Sequence, residues 1–343
     1  MAAGVLAPSA EQTDAAGIVP ESHLRALTEA GLSGLMGPRE YGGSDSAAAV
    51  VREVFEILAG ACGVTFFVWV QHHGAVRLIA ASSNVALKDR YLADLCAGRV
   101  LGGVAFAHLR RPGRPAVTAR AVAGGYRVDG EAPWATSWGL AGLFVAAARV
   151  GDDVLFFRVP GAAGDAMRPS EPLRLVVMEA SATVRLAFDR LVVPEADVVS
   201  RRPLAEWLAA DRVVTAQPNP AVFGIAATCC RLLGPDGRAL DDERLGCRTL
   251  SYGLADERRT DDDHLTRMVE ARAWSYDVAL RAAAATVASA GGRSMERSAP
   301  AQRLLREAAF FTIQAQTPAL RAATLARLNQ PRSWAASTPA AAE

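Results

Sequence analysis

The chain has 343 residues, 51% hydrophobic and 21% charged, with a net charge of +1. That is ample apolar material for a buried core, and the near-neutral balance gives no electrostatic case for a nucleic acid or a membrane surface as partner. The five cysteines are odd in number and follow no metal-ligand spacing, and Cys229 and Cys230 are adjacent, so a reducing cytoplasm is expected rather than a disulfide framework.

Residues 1–20 are small and polar, with Pro8 and Pro20, and predict a disordered tail. They lack the basic and apolar runs of a signal peptide, and no stretch of about 18 apolar residues runs free of charge, so no transmembrane helix is expected. Residues 21–30 form a short amphipathic pattern that Gly31 ends. The run Gly34 to Gly43 is a turn rich in glycine with Pro38. Residues 46–59 repeat Val50, Val51, Val54, Phe55 and Leu58 at helical steps. The apolar run 62–80 carries His72 and His73; adjacent helical residues diverge by about 100°, which argues against a shared metal. A further helix is expected over 84–97, completing an N-terminal helical domain at 21–100.

From 101 to 200 the signals are those of strands. Ala119 to Val122, Gly124-Gly125 and Tyr126 to Val128 form a hairpin pattern, followed by Trp134-Ala135-Thr136-Ser137 and the apolar strand 143–150. Further strands are expected at 154–159, at 173–178 and at 182–194. Taken alone, Trp134 also reads as a half-buried strand aromatic. Residues 201–330 turn helical. One long helix is expected at 204–233, disturbed by Pro218 and Pro220, then helices at 241–259, 261–290 and 299–328. A disordered tail is expected at 331–343.

These stretches resemble the acyl-CoA dehydrogenase family, as a divergent and shortened member, over roughly residues 21–330. Arg39-Glu40-Tyr41-Gly42-Gly43 resembles the family's P-E-x-Y-G-G loop. Leu87 to Gly98 resembles its helix leading into the β-domain. The segment GGYRVDGEAPWATSWG resembles its G-x-K-x-W-I-T-N region, with Trp134 and Thr136 matching. Thr183, Phe188, Asp189, Val193 and Pro194 match its closing strand. The resemblance implies an α+β multidomain fold: an N-terminal helical domain, a middle β-barrel or sandwich domain and a C-terminal helical bundle. It also implies an FAD cofactor touched by Phe106, Ala107, Trp134, Thr136 and Ser137. In the family the tryptophan packs on the flavin and the threonine hydroxyl bonds the ring. An acyl-CoA or related substrate and a homo-oligomer, or a hetero-oligomer with a paralogue, follow from the same resemblance.

The family's chemistry needs a carboxylate to remove a proton beside a thioester carbonyl. Arg306, Glu307, Ala308, Ile313 and Thr317 match the segment that carries the common base, but Ala315 stands at the glutamate and Gln316 at the following glycine. Neither side chain accepts a proton at neutral pH. Some members place the base on the first bundle helix, before an arginine; here that position is Asp211, followed by Arg212, with Gly224 at a matching glycine. An ordinary surface Asp–Arg pair is the plain alternative. Ala107 replaces a flavin-holding threonine, and Arg110, Arg111 and Arg114 form either a phosphate-binding turn or a solvated basic one. The bundle's R-x-x-F-G and G-G-x-G segments are not found. The resemblance therefore implies an FAD-dependent oxidoreductase acting on the CH–CH group of an acyl thioester. The alternatives are a catalytically silent structural partner of an active paralogue, or a flavin monooxygenase on the same fold, which needs no base.

Overall fold

The structure is a computed structural model that describes residues 1–330. The tail expected at 331–343 lies outside the described residues. The N-terminal helices are α1 (Ala10–Ala15), α2 (Glu21–Glu29), α3 (Ala48–Ala61), α4 (Gly63–Ala80) and α5 (Val85–Cys96). Gly31, at φ 71°, ends the α2 region in the left-handed conformation, and the Asn84 side chain caps α5 by accepting from the Leu87 N–H at 3.1 Å.

The β-region follows: β1 (Gly102–Ala105), β2 (Val117–Val122), β3 (Gly125–Ala135), β4 (Leu143–Val150), β5 (Asp153–Pro160), β6 (Met167–Pro169), β7 (Val184–Pro194) and β8 (Val198–Pro203). They make one eight-stranded sheet in the order β6-β7-β3-β2-β4-β5-β8, with β1 parallel to β4. The expected hairpin is β2–β3, with Val122 paired to Gly125 across Ala123-Gly124 and Gly124 at φ 77°. Both faces of β4 are buried from Leu143 to Ala148, which accounts for the apolar run there. Phe144, Ala146 and Ala148 pack with Val117, Val128, Phe157 and Leu186; Leu143, Val145 and Ala147 pack with Val76, Ile79, Leu92 and Trp207.

The bundle comprises α6 (Leu204–Ala216), α7 (Pro220–Leu233), α8 (Arg238–Asp256), α9 (Asp262–Ala290), α10 (Pro300–Phe311) and α11 (Pro318–Leu328). The fold class is thus as the resemblance implied. Two expected single helices are each divided. Residues 204–233 break because Gln217 is extended before Pro218, and Asn219 caps a new helix that starts on Pro220. Residues 299–328 break at 312–317, where Ala315 sits at φ 53° and Thr317 caps the helix that opens on Pro318.

Two further expectations are corrected. Residues 1–20 are not a disordered tail: Leu6, Ala10, Thr13 and Val19 are buried. Charges fasten this arm to α10, through Glu11 to Arg303 at 3.1 Å and Asp14 to Arg306 at 2.5 Å. The small polar composition concealed a few well-spaced apolar anchors. The strand expected at 173–178 is irregular chain, since Val176 is exposed and Met178 is left-handed at φ 60°. That loop is held by the arm instead, with the Val19 N–H donating to the Ala180 carbonyl at 2.9 Å and Ile18 bridging Ser181.

Candidate active site

The end of β3 is shaped by a bulge. Ala132 pairs with Leu186 and Ala135 with Val184, so β3 spends three steps where β7 spends two. Pro133 has no N–H to lose there, and the extra residue swings Trp134 outward, 41% exposed. Ala135 and Thr136 turn back into the core. Ser137 is fully buried at φ 74°; its N–H donates to the Ser181 carbonyl at 2.8 Å, and its hydroxyl has no partner. Trp138 follows, stacked on Phe144 at 5.7 Å.

Thr136 belongs to a chain of buried hydroxyls. Its Oγ1 lies 3.1 Å from Thr183 Oγ1, which lies 2.7 Å from Ser181 Oγ. Ser181 and Thr183 were absent from the sequence-derived site. The signal was present in Ser181-Ala182-Thr183, two hydroxyls on alternate residues at the entrance to β7.

A second cluster gathers where β1 ends. Phe106 meets Phe156 edge-on at 5.5 Å, and Ala107 is exposed at the start of a 3₁₀ turn, Ala107–Arg110. His108 in that turn is buried, with Nε2 3.1 Å from the Ala147 carbonyl oxygen; burial holds its imidazole pKa down to about 4. Arg110 then reaches α6. Its Nε donates to Asp211 Oδ2 at 2.8 Å and its Nη2 to Oδ1 at 2.7 Å. The guanidinium lies 5.9 Å from the Phe106 ring and 6.0 Å from the Trp207 ring.

Arg110 is therefore not available for a phosphate, which corrects its place in the basic turn. Arg111 and Arg114 remain exposed and form no ion pair among the described residues. Arg212 pairs with Asp262 at 2.7 Å and leaves its neighbour Asp211 to Arg110. Ala315 is half-buried in the turn between α10 and α11, where the Gln316 side chain donates to the Thr312 carbonyl at 3.2 Å. Glu307 points the other way, into the core, accepting from Arg303 at 2.9 Å and from the Gly63 N–H at 3.2 Å.

The structure thus brings Phe106, Ala107 and Asp211 together through Arg110, and Thr136 and Ser137 together through the loop at 178–183. Among the described residues no hydrogen bond or ring contact joins Asp211 to the Trp134–Ser137 turn. The paired histidines hold no metal arrangement. His72 Nδ1 accepts from the Gly102 N–H at 3.0 Å, His73 Nε2 meets the Leu32 carbonyl at 3.1 Å, and no cluster able to hold a metal occurs among the described residues.

Residues 1–99 match the family model for the acyl-CoA dehydrogenase N-terminal domain. Benzylmalonyl-CoA dehydrogenase of Aromatoleum aromaticum is 26% identical over 226 residues, 61% of this chain and 59% of that protein, so the match spans less than two thirds of the relative's length. The structure of butyryl-CoA dehydrogenase from Megasphaera elsdenii superposes with a TM-score of 0.79 at 19% identity, covering 96% of this chain and 95% of that one. Residues 1–99 thus match the N-terminal domain of the acyl-CoA dehydrogenases, and the chain as a whole shares the fold of that solved acyl-CoA dehydrogenase. An FAD complex of PigA shares the fold, with a TM-score of 0.79 at 16% identity over 95% of this chain and 94% of that one.

The two positions expected to hold a base are both constrained in this chain. Its Asp211 is 9% exposed, and both of its oxygens are engaged by one guanidinium. At Ala315 there is no proton acceptor at all. No described helix is long and apolar enough to cross a membrane.

Proposed function

We propose that this chain is an FAD-dependent oxidoreductase of the acyl-CoA dehydrogenase type, acting on the CH–CH group of an acyl thioester or a similar small molecule. The observation that carries the reading is the bulge on β3, which holds an indole out at the edge of a β-domain beside a buried, unpartnered Ser137 hydroxyl and the Thr136 hydroxyl. These residues fit one edge of a flat, polar-rimmed ring: Trp134 supplies a face, and Thr136 and Ser137 supply hydrogen-bonding groups. Phe106 and the exposed backbone at Ala107 are the other residues assigned to the ring. Arg111 and Arg114 are the free cations for its phosphates. When bound, the flavin would supply hydride acceptance. The family relationship supports the cofactor, and a homo-oligomer or a pairing with a paralogue is part of the same reading, as is a cytoplasmic setting.

Asp211 is the carboxylate assigned to take the substrate proton. It is buried, as a base in a desolvated site must be, but accepting a proton there means giving up a bond to Arg110. That engagement, with Ala315 in the other base position, favours a second reading: a silent family member that binds flavin or a paralogue without turning over substrate. Asp211→Asn separates the two. For the enzyme, addition of acyl-CoA bleaches the parent's flavin absorbance and leaves the variant's unchanged, with flavin still bound in both. For the silent member, no acyl-CoA of any chain length bleaches the parent.

A further inference from the structure

We propose that Thr183, with Ser181 behind it, is a positioning residue that fixes the direction of the Thr136 hydroxyl proton towards the cofactor; this rests on the flavin reading above. Thr183 Oγ1 has one proton and two neighbours, Ser181 Oγ at 2.7 Å and Thr136 Oγ1 at 3.1 Å. It cannot donate to both, so at least one neighbour donates to it. Neither Ser181 nor Thr183 has another side-chain partner among the described residues, and they are 0% and 3% exposed. If the protons ran from Thr136 inward, Ser181 would be left with a buried proton and no acceptor. If Ser181 and Thr136 both pointed at Thr183, the orphaned proton would be that of Thr183. Only the order Ser181 to Thr183 to Thr136 uses both inner protons, and it leaves the last one at Thr136, the end of the chain with the most access to solvent at 6%.

The direction is held by the backbone around it. Ser181 is bridged to Ile18 of the N-terminal arm, and its carbonyl accepts from the Ser137 N–H at 2.8 Å. The Ala182 carbonyl accepts from the Trp138 N–H at 3.1 Å, with Ala182 itself in a left-handed conformation at φ 48°. Arg306 of α10 donates to the Val176 carbonyl at 3.2 Å and holds Asp14 of the arm. The loop is thus pinned from the arm, from α10 and from the Trp134–Trp138 turn at once. The Ser181 backbone is thereby held and its side chain is fully buried, with Thr183 as its hydrogen-bond partner, so the first donor is fixed and with it the rest of the chain.

The test is FAD titration of the full chain, read by quenching of protein fluorescence, together with the position of the long-wavelength flavin band. Thr183→Val keeps the shape and removes the relay; it should weaken FAD binding about tenfold and shift the band, whereas Thr183→Ser should stay within about twofold of the parent. Thr136→Val should weaken binding similarly, and Thr183→Val should add nothing to it, because both act on one proton. Ser181→Ala removes the first donor with the smallest change of volume, and it should show the same non-additivity should Thr183→Val fail to fold. Parent-like affinity in both Thr183→Val and Ser181→Ala, or an effect that adds in full to that of Thr136→Val, overturns the proposal. If Thr136→Val weakens binding and Thr183→Val does not, the relay alone falls. If the parent binds no FAD, the flavin reading falls and takes the relay with it.

Discussion

Arg110 holds both carboxylate oxygens of Asp211, at 2.7 and 2.8 Å, and so ties the turn after β1 to the first helix of the bundle. The two side chains are 17% and 9% exposed, with the aromatic rings of Phe106 and Trp207 close to the guanidinium. At that depth a lone charge is poorly hydrated, so the pair matters most when one partner is missing. Asp211→Ala should cost about 3 kcal/mol of stability in a denaturant titration, and the double change Arg110→Met, Asp211→Leu should recover most of it. A single-variant loss below about 0.5 kcal/mol, the range of an exposed pair, would show that the pair is solvated in solution.

Helices α3 and α7 approach through glycine. A Cβ on Gly224 would sit 2.0 Å from the Glu56 carbonyl oxygen, and one on Gly60 would sit 2.6 Å from the Gly224 carbonyl oxygen. Alanine at a helical glycine ordinarily gains about 1 kcal/mol. At Gly224 the clash is with backbone that no rotamer change can move, so Gly224→Ala should destabilise by about 2 kcal/mol. Gly246 in α8 has nothing within 4 Å of its added Cβ, and Gly246→Ala should stabilise by about 1 kcal/mol. Unfolding midpoints that move in the same direction for both would contradict the packing described.

Buried histidines set the acid limit. Burial lowers the pKa of His72 and of His108 from 6.5 to about 4, so both are neutral in the folded protein. In the unfolded chain they protonate first as pH falls. Their contribution is therefore full above pH 6.5 and is lost between there and about 4; each group gives up on the order of 3 kcal/mol across the window. His108→Gln should flatten the fall in stability between pH 6.5 and 4 relative to the parent. An equally steep fall would assign the acid sensitivity to other groups.

The helical blocks and the β2–β3 hairpin were legible because their signals are local: apolar spacing, Gly31 after a helix, Gly124 in a turn. The Trp134–Ser137 turn was legible through family resemblance. Features set by distant partners or by capping were not. The arm at 1–20 looks polar in sequence, yet Leu6 and Val19 are buried by partners far along the chain, and Arg303 lies 292 residues from Glu11. The division at 312–317 follows from Thr317 and Pro318 starting a new helix, a capping signal that the surrounding apolar pattern obscured. The partner of Asp211 is 101 residues away rather than adjacent, because Arg212 faces Asp262 on α9. Side-chain direction on a helix decides such pairings, and neighbours in sequence diverge.

That the β3 bulge is one wall of a flavin site is tested most directly by incubating the purified full chain with FAD, removing the unbound flavin and reading the visible spectrum. The parent should retain a flavin spectrum, and Trp134→Ala should retain much less, with an unchanged unfolding midpoint because the indole is 41% exposed. A parent chain that emerges colourless, or a Trp134→Ala chain that binds FAD as the parent does, would contradict it.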